Sequence, residues 1–313
     1  MRFSRGSANS GIGMDAAGKL AAQGHTVTLA CRTLAKAQAA AQALAAASAA
    51  PLRLRPAECD LSSLASVRAF AASAAGPVDV LVANAGLQYT GDAAVHRTAD
   101  GFEETVGVNH LGHFLLLNLL LPKMEPSAGR IVVTASEVHD PASPGGAVGP
   151  GATLGALEGL AAGPSFKMVD GGPFDAEKAY KDSKLCNVLV ARELAARLRA
   201  SGSGVTCNAF GPGLITRTGF FRNQNPLFVG LFDFAANDLL HFAETVGGGG
   251  DCLVYMATSP ALEGASGLFY NNNLAGFGGH AFGLTEPSAE ARDAEEGRRL
   301  WDASARLVGL PVA

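Results

Sequence analysis

Four short apolar runs set the rhythm of this chain, and each stops at a small or polar residue before helical spacing begins. Residues 25–30 (HTVTLA), the segment from Leu52 that closes on Cys59, Asp60 and Leu61, residues 78–83 (VDVLVA) and residues 130–135 (RIVVTA) read as strands. Between them apolar positions recur every three or four residues, as at Met14, Ala17, Leu20 and Ala21, which predicts helices. Gly24 supplies a stop for that first helix, and the alanine-rich residues 35–50 read as another, with low-complexity disorder as the alternative. Strands alternating with helices of this length predict a single α/β domain over residues 1–313, with a doubly wound parallel sheet covered on both faces. Ligands of such sheets bind at the carboxyl ends of the strands, where the polar residues of these runs fall.

Those ends carry a dinucleotide-binding pattern. In the glycine-rich turn 6–13 (GSANSGIG), Ser7, Asn9, Ser10, Gly11, Ile12 and Gly13 would let a pyrophosphate approach the positive end of the helix that follows. After the strand 25–30, the position where an acid would grip a ribose 2′-hydroxyl has none. Arg32 stands there instead, suited to a 2′-phosphate, so NADPH is expected over NADH; a merely solvated arginine is the alternative. Asp60, beside Leu61, is placed to accept from an adenine amino group, and the small residues of Asn84, Ala85 and Gly86 would let the cofactor ribose lie close.

A second constellation carries proton chemistry. Tyr180 and Lys184 are one helical turn apart on a common face, and Ser136 ends the run 130–135 upstream. A phenol titrates near 10, and an ammonium beside it favours the phenolate, so the pair reads as an acid/base whose substrate oxygen Ser136 could hold. Alone, the Tyr-x-x-x-Lys spacing also fits a surface helix; the cofactor pattern around it argues for catalysis.

With these motifs together the chain resembles the short-chain dehydrogenases/reductases over nearly its whole length. The resemblance implies NADPH-dependent hydride transfer, a sheet order of 3-2-1-4-5-6-7, catalytic roles for Ser136, Tyr180 and Lys184, a relay role for Asn109, and cofactor contacts from Pro212 and Gly213. Residues 169–175 (VDGGPFD), 179–187 (AYKDSKLCN), 218–222 (TGFFR) and the C-terminal stretch from Arg299 to Leu310 are similar to the protochlorophyllide reductase branch. That branch implies light-driven reduction of protochlorophyllide to chlorophyllide and a plastid location; without it the chain reads as cytoplasmic. Two departures bear on the substrate. Gly211 and Leu214 stand where the branch has a tyrosine and a cysteine at its pigment site, and Gly86 stands where it usually has alanine. A dark reductase of retinal-like or other hydrophobic carbonyls and a non-catalytic NADPH-binding scaffold therefore stay open.

Composition fits a soluble enzyme. With 313 residues, 48% of them hydrophobic, and a formal charge of −4, the chain can bury a large core and shows no basic patch for nucleic acid. No apolar run is long enough to span a bilayer, which predicts a soluble or peripheral protein and leaves membrane contact and oligomerisation open. The spacing of the five cysteines predicts neither a zinc site nor a disulfide framework, and His110 and His113 read as packed or capping residues, so no metal is expected.

Two substrate-side segments are expected: residues 141–172, dense in Gly, Pro and Ala, as a lid or wall, and residues 213–242, rich in Phe, as a second one. The latter also fits an ordinary amphipathic helix. The start of the chain is the weak point. A central first strand wants five or six apolar residues, and only Met1 and Phe3 precede the glycine turn. Three or four missing buried aliphatic side chains at ~1.5–3 kcal/mol each predict either a chain begun short of its full start or a degenerate first strand.

Overall fold

Residues 2–6, 10–216, 243–275 and 279–312 are described in a computed structural model, the first group as backbone only. Ser7, Asn9 and the phenylalanines from Phe220 to Phe234 lie outside them.

Eight strands form one sheet in the order β3-β2-β1-β4-β5-β6-β7-β8. They are β1 (Arg2–Gly6), β2 (Thr26–Cys31), β3 (Arg53–Glu58), β4 (Val80–Ala83), β5 (Arg130–Thr134), β6 (Thr206–Gly211), β7 (Phe269–Leu274) and β8 (His280–Leu284). The first seven are parallel neighbours in the order that the resemblance implies. The eighth, which sequence reading did not foresee, returns antiparallel to β7 through a short hairpin and forms the edge.

The central strand exists despite its poor apolar content. Phe3 of β1 pairs with Val27 of β2 on one side and Val80 of β4 on the other. A backbone ladder needs N–H and C=O groups rather than aliphatic side chains, so neighbours on both sides hold the strand in place.

Side chains alternate across the sheet and sort into two cores. Leu81, Ala83, Ile131, Val133, Cys207 and Ala209 face one of them. It is covered by α3 (Leu64–Ser73), α5 (His113–Leu120), α7 (Ala176–Ala200) and α10 (Ala294–Val308). Val80, Val82, Val132 and Phe210 face the other, under α1 (Gly11–Ala22), α2 (Leu34–Ala46) and α8 (Val246–Thr258). Among the described residues there are also three short α-helices, α4 (Glu104–Val106), α6 (Glu158–Ala161) and α9 (Ala289–Arg292).

Between α4 and α5 the chain makes a π-helical turn, Gly107–Gly112. A Cβ on Gly112 would collide with the backbone carbonyl of Leu61, so glycine lets the loop after β3 lie directly on this turn. That contact brings Asp60 and Leu61 to the same end of the sheet as Asn109.

Candidate active site

Strand order reverses between β1 and β4, so the crevice for a ligand opens above their carboxyl ends. Ser10, Gly11, Gly13 and Arg32, four of the expected cofactor residues, follow the carboxyl ends of β1 and β2. Ser10 stands at the N-cap of α1 without a side-chain capping bond, Gly11 takes φ +58° and Gly13 is buried within the first turn. That turn carries no acidic residue, so the partial positive charge of the helix end is not neutralised. Ile12 instead packs into the core beside α8. Arg32 follows β2 and is exposed, while the next residue, Thr33, caps α2 by accepting from the Lys36 N–H.

Asp60 spends one oxygen locally: Oδ1 accepts from the Ser62 N–H at 3.0 Å and from its hydroxyl at 2.7 Å. Leu61 is buried. Asn84 accepts from the Thr134 hydroxyl at 3.0 Å, which joins the ends of β4 and β5, and Ala85 is buried beside it. Gly86 lies between two groups of the catalytic set: a Cβ there would sit 3.5 Å from Lys184 Nζ and 3.6 Å from Asn109 Oδ1. Pro212 and Gly213 leave β6 under Asn272, whose amide donates to the Pro212 carbonyl at 3.3 Å.

Ser136, Tyr180 and Lys184 meet above β5. A hydrogen bond joins Ser136 to the Tyr180 hydroxyl. Lys184 Nζ stands 5.5 Å from the centre of the Tyr180 ring and donates to the Thr134 carbonyl at 3.2 Å. Burial lowers the lysine to about 8. The expectation that Lys184 would tip Tyr180 toward phenolate is not met in this arrangement. Burial pushes the phenol above its ordinary range, with only the Ser136 bond pulling the other way. A neutral phenol hydrogen-bonded to a serine can give a proton to an oxygen or carbon placed against it.

Asn109 is close but differently employed. Its amide brackets the Leu87 backbone, accepting from the N–H and donating to the carbonyl at 2.9 Å each, and also donates to Ser183 Oγ at 3.0 Å. Ser183 in turn donates to the Tyr180 carbonyl at 2.6 Å. Asn109 therefore orders the helix that carries Tyr180 through Ser183.

Sequence reasoning missed three supporting residues. Asn187, one turn beyond Lys184, donates to the same Thr134 carbonyl at 3.1 Å. His139 donates from Nδ1 to the Ser136 carbonyl at 2.7 Å and accepts from the Ser288 N–H at Nε2, so a distant C-terminal segment braces the serine turn. Ser183 completes the link from Asn109 to Tyr180. Only Ser183 and Asn187 carried a signal, their three-residue spacing from Tyr180 and Lys184 on one helix.

The remaining chemistry is quiet. All five cysteines are buried free thiols, and burial raises Cys186 well above the usual thiol range. Among the described residues no cluster of His, Cys, Asp or Glu could hold a metal ion, and no helix is long and apolar enough to cross a membrane.

Comparison with known proteins follows this geometry. The family model described as short chain dehydrogenase matches residues 7–163, from the glycine turn past Ser136. The chain belongs to the short-chain dehydrogenases. It is an oxidoreductase of that family, and its similarity runs further along the chain than the family model does. The chloroplastic protochlorophyllide reductase of Pisum sativum is 38% identical over 97% of this chain and 76% of its own length. Protochlorophyllide reductase A of Triticum aestivum is 39% identical over 97% of this chain and 79% of its own. Among solved structures, an uncharacterised protein of Mycobacterium paratuberculosis shares 28% identity and a TM-score of 0.74, covering all of this chain and 94% of its own. Levodione reductase, at 20% identity and a TM-score of 0.64 over 89% of this chain and 96% of its own, shares the fold.

Proposed function

We propose that this short-chain dehydrogenase is an NADPH-dependent reductase of a hydrophobic acceptor, that the acceptor is protochlorophyllide, and that it works in a plastid. The observation that carries the chemistry is the Tyr180 hydroxyl, hydrogen-bonded to Ser136 beside Lys184 at the strand ends. The chloroplastic relatives favour the acceptor and the compartment.

The residues present fit the cofactor. The uncapped, acid-free start of α1 suits a pyrophosphate, and the exposed Arg32 at the end of β2 suits a 2′-phosphate. When bound, NADPH supplies the hydride. The chain supplies the rest: Ser136 orients the acceptor and the phenol, and Tyr180 gives up its proton as charge develops on the acceptor. Lys184, an ammonium below about pH 8, stands beside the Tyr180 ring and ties its helix to the end of β5 through the Thr134 carbonyl. Asn109 and Ser183 hold Tyr180's helix against the loop after β4.

One observation favours a second reading, dark reduction of another apolar substrate. The side chain of Asn271 lies over Gly211, where a Cβ would collide with its carbonyl oxygen. The wall at this point is thus made by an asparagine of β7, and residue 211 can contribute no phenol to a pigment. Purified protein with NADPH and protochlorophyllide, scanned before and after a light flash, separates the two. A red shift that requires the flash supports pigment reduction. No shift, together with dark NADPH oxidation by retinal, supports the second reading and ends the first.

A further inference from the structure

The segment that leaves Ser136 runs back over α7 and is held there by residues flanking Tyr180. Its own side chains cannot anchor it: residues 145–150 (GGAVGP) offer little to bury, and Val148 is exposed. Backbone groups do the anchoring. Ser143 Oγ donates to the Glu137 carbonyl at 2.9 Å and accepts from the Gly146 N–H at 2.9 Å. Lys181 Nζ then donates to the carbonyls of Gly146, at 3.4 Å, of Val148 and of Pro150, at 3.0 Å, and pairs with Glu177 at 3.0 Å. Tyr180 immediately precedes Lys181 in α7 and its hydroxyl is hydrogen-bonded to Ser136, so the stretch from Ser136 to Pro150 is tied to α7 at both ends. Lys178 secures the continuation, bridging Asp170 at 2.9 Å and Asp182 at 2.7 Å and donating to the Thr153 carbonyl, while Asp182 accepts from the Thr153 N–H.

A lysine only 3% exposed is costly to bury unless its charge is compensated. Here carbonyls of one short segment and one carboxylate compensate it, and an apolar residue of the same length would have avoided the cost. What the ammonium adds is a fixed position for that segment relative to Tyr180. We propose that Lys181 is a positioning residue for substrate: it turns residues 146–150 into a permanent wall of the space in front of Tyr180, and so limits how a bulky acceptor lies against the phenol. This rests on the reading of Tyr180 as the reacting group.

The test uses Lys181→Met and Lys181→Gln in the full chain, with hydrogen exchange of residues 143–150 and steady-state kinetics with NADPH on protochlorophyllide and on retinal. Both variants should speed exchange in that segment. They should also raise KM for whichever acceptor the wild type reduces, on the order of tenfold, with kcat within a few-fold. The glutamine variant, which keeps a donor, should be the milder and keeps the test alive if the methionine variant does not fold. Unchanged exchange, or a fall in kcat at constant KM, would overturn the proposal. A wild type inactive on both acceptors would count against the proposed function, while the exchange result would still decide whether Lys181 holds the wall.

Discussion

At the scale of single residues, the proposed cofactor choice rests on Arg32 and the proposed proton donor on Tyr180. Arg32 is set by what is missing as much as by what is present: β2 ends without the acid that a ribose 2′-hydroxyl would need, and the guanidinium is exposed beside the crevice. Arg32→Asp should therefore weaken NADPH on the order of tenfold or more while leaving NADH unchanged or improved, as read in a fluorescence titration. Equal loss for both cofactors would remove the 2′-phosphate assignment. That Tyr180 and Lys184 share a helix face, with Ser136 ending a strand, could be read from the sequence because residue type and helical spacing are displayed there; the structure brings the three together. His139 could not be so read, and for Asn187 the sequence showed only its place one turn beyond Lys184, not what it binds. Their partners are backbone groups of Ser136, Ser288 and Thr134, and nothing in the order of residues shows that those carbonyls and amides come together.

At the scale of elements, strands announced themselves by short apolar runs, and the sheet order followed from family resemblance. The hairpin partner β8 was missed because His280–Leu284 carries glycine and histidine and has only one neighbouring strand, so its apolar signal is weak. The π-helical turn was missed because it depends on Leu61 pressing against Gly112, a contact between distant segments. This turn and the start of α5 also bury two histidines. Burial holds His110 at about 3, with the charge of His113 adding to it, and holds His113 at about 4, with Lys184 adding to it. His110 meets Ser304 Oγ at 2.7 Å and His113 donates to the Asn109 carbonyl at 3.1 Å, both as neutral rings. Their folded values lie below the unfolded value of about 6.5, so the stability they allow is complete above that pH and is lost as pH falls toward 4. The unfolding free energy from urea titrations should fall between pH 6.5 and 4, by on the order of 1.4 kcal/mol per pH unit for each histidine. His113→Gln should flatten that slope. An unchanged slope would show that carboxylates alone govern acid unfolding.

Across the whole molecule, two cores on either side of one sheet hold the strand ends and the Ser136, Tyr180 and Lys184 cluster in a single frame. β1 and α1 bring the glycine turn, β4 and β5 bring Asn84 and Ser136, and α7 brings Tyr180 and Lys184 across the same edge. The long segment after Ser136, legible in the sequence only as a glycine-rich stretch, is bound into that frame by Lys178 and Lys181. The central claim is that this frame delivers a proton from Tyr180 while the cofactor binds independently of it. Its most direct test is Tyr180→Phe, measured as single-turnover reduction of the acceptor alongside NADPH affinity. Turnover should fall by several orders of magnitude while the NADPH dissociation constant stays within a few-fold of the wild type. A variant that keeps most of its rate would contradict that claim, because another group would then be delivering the proton.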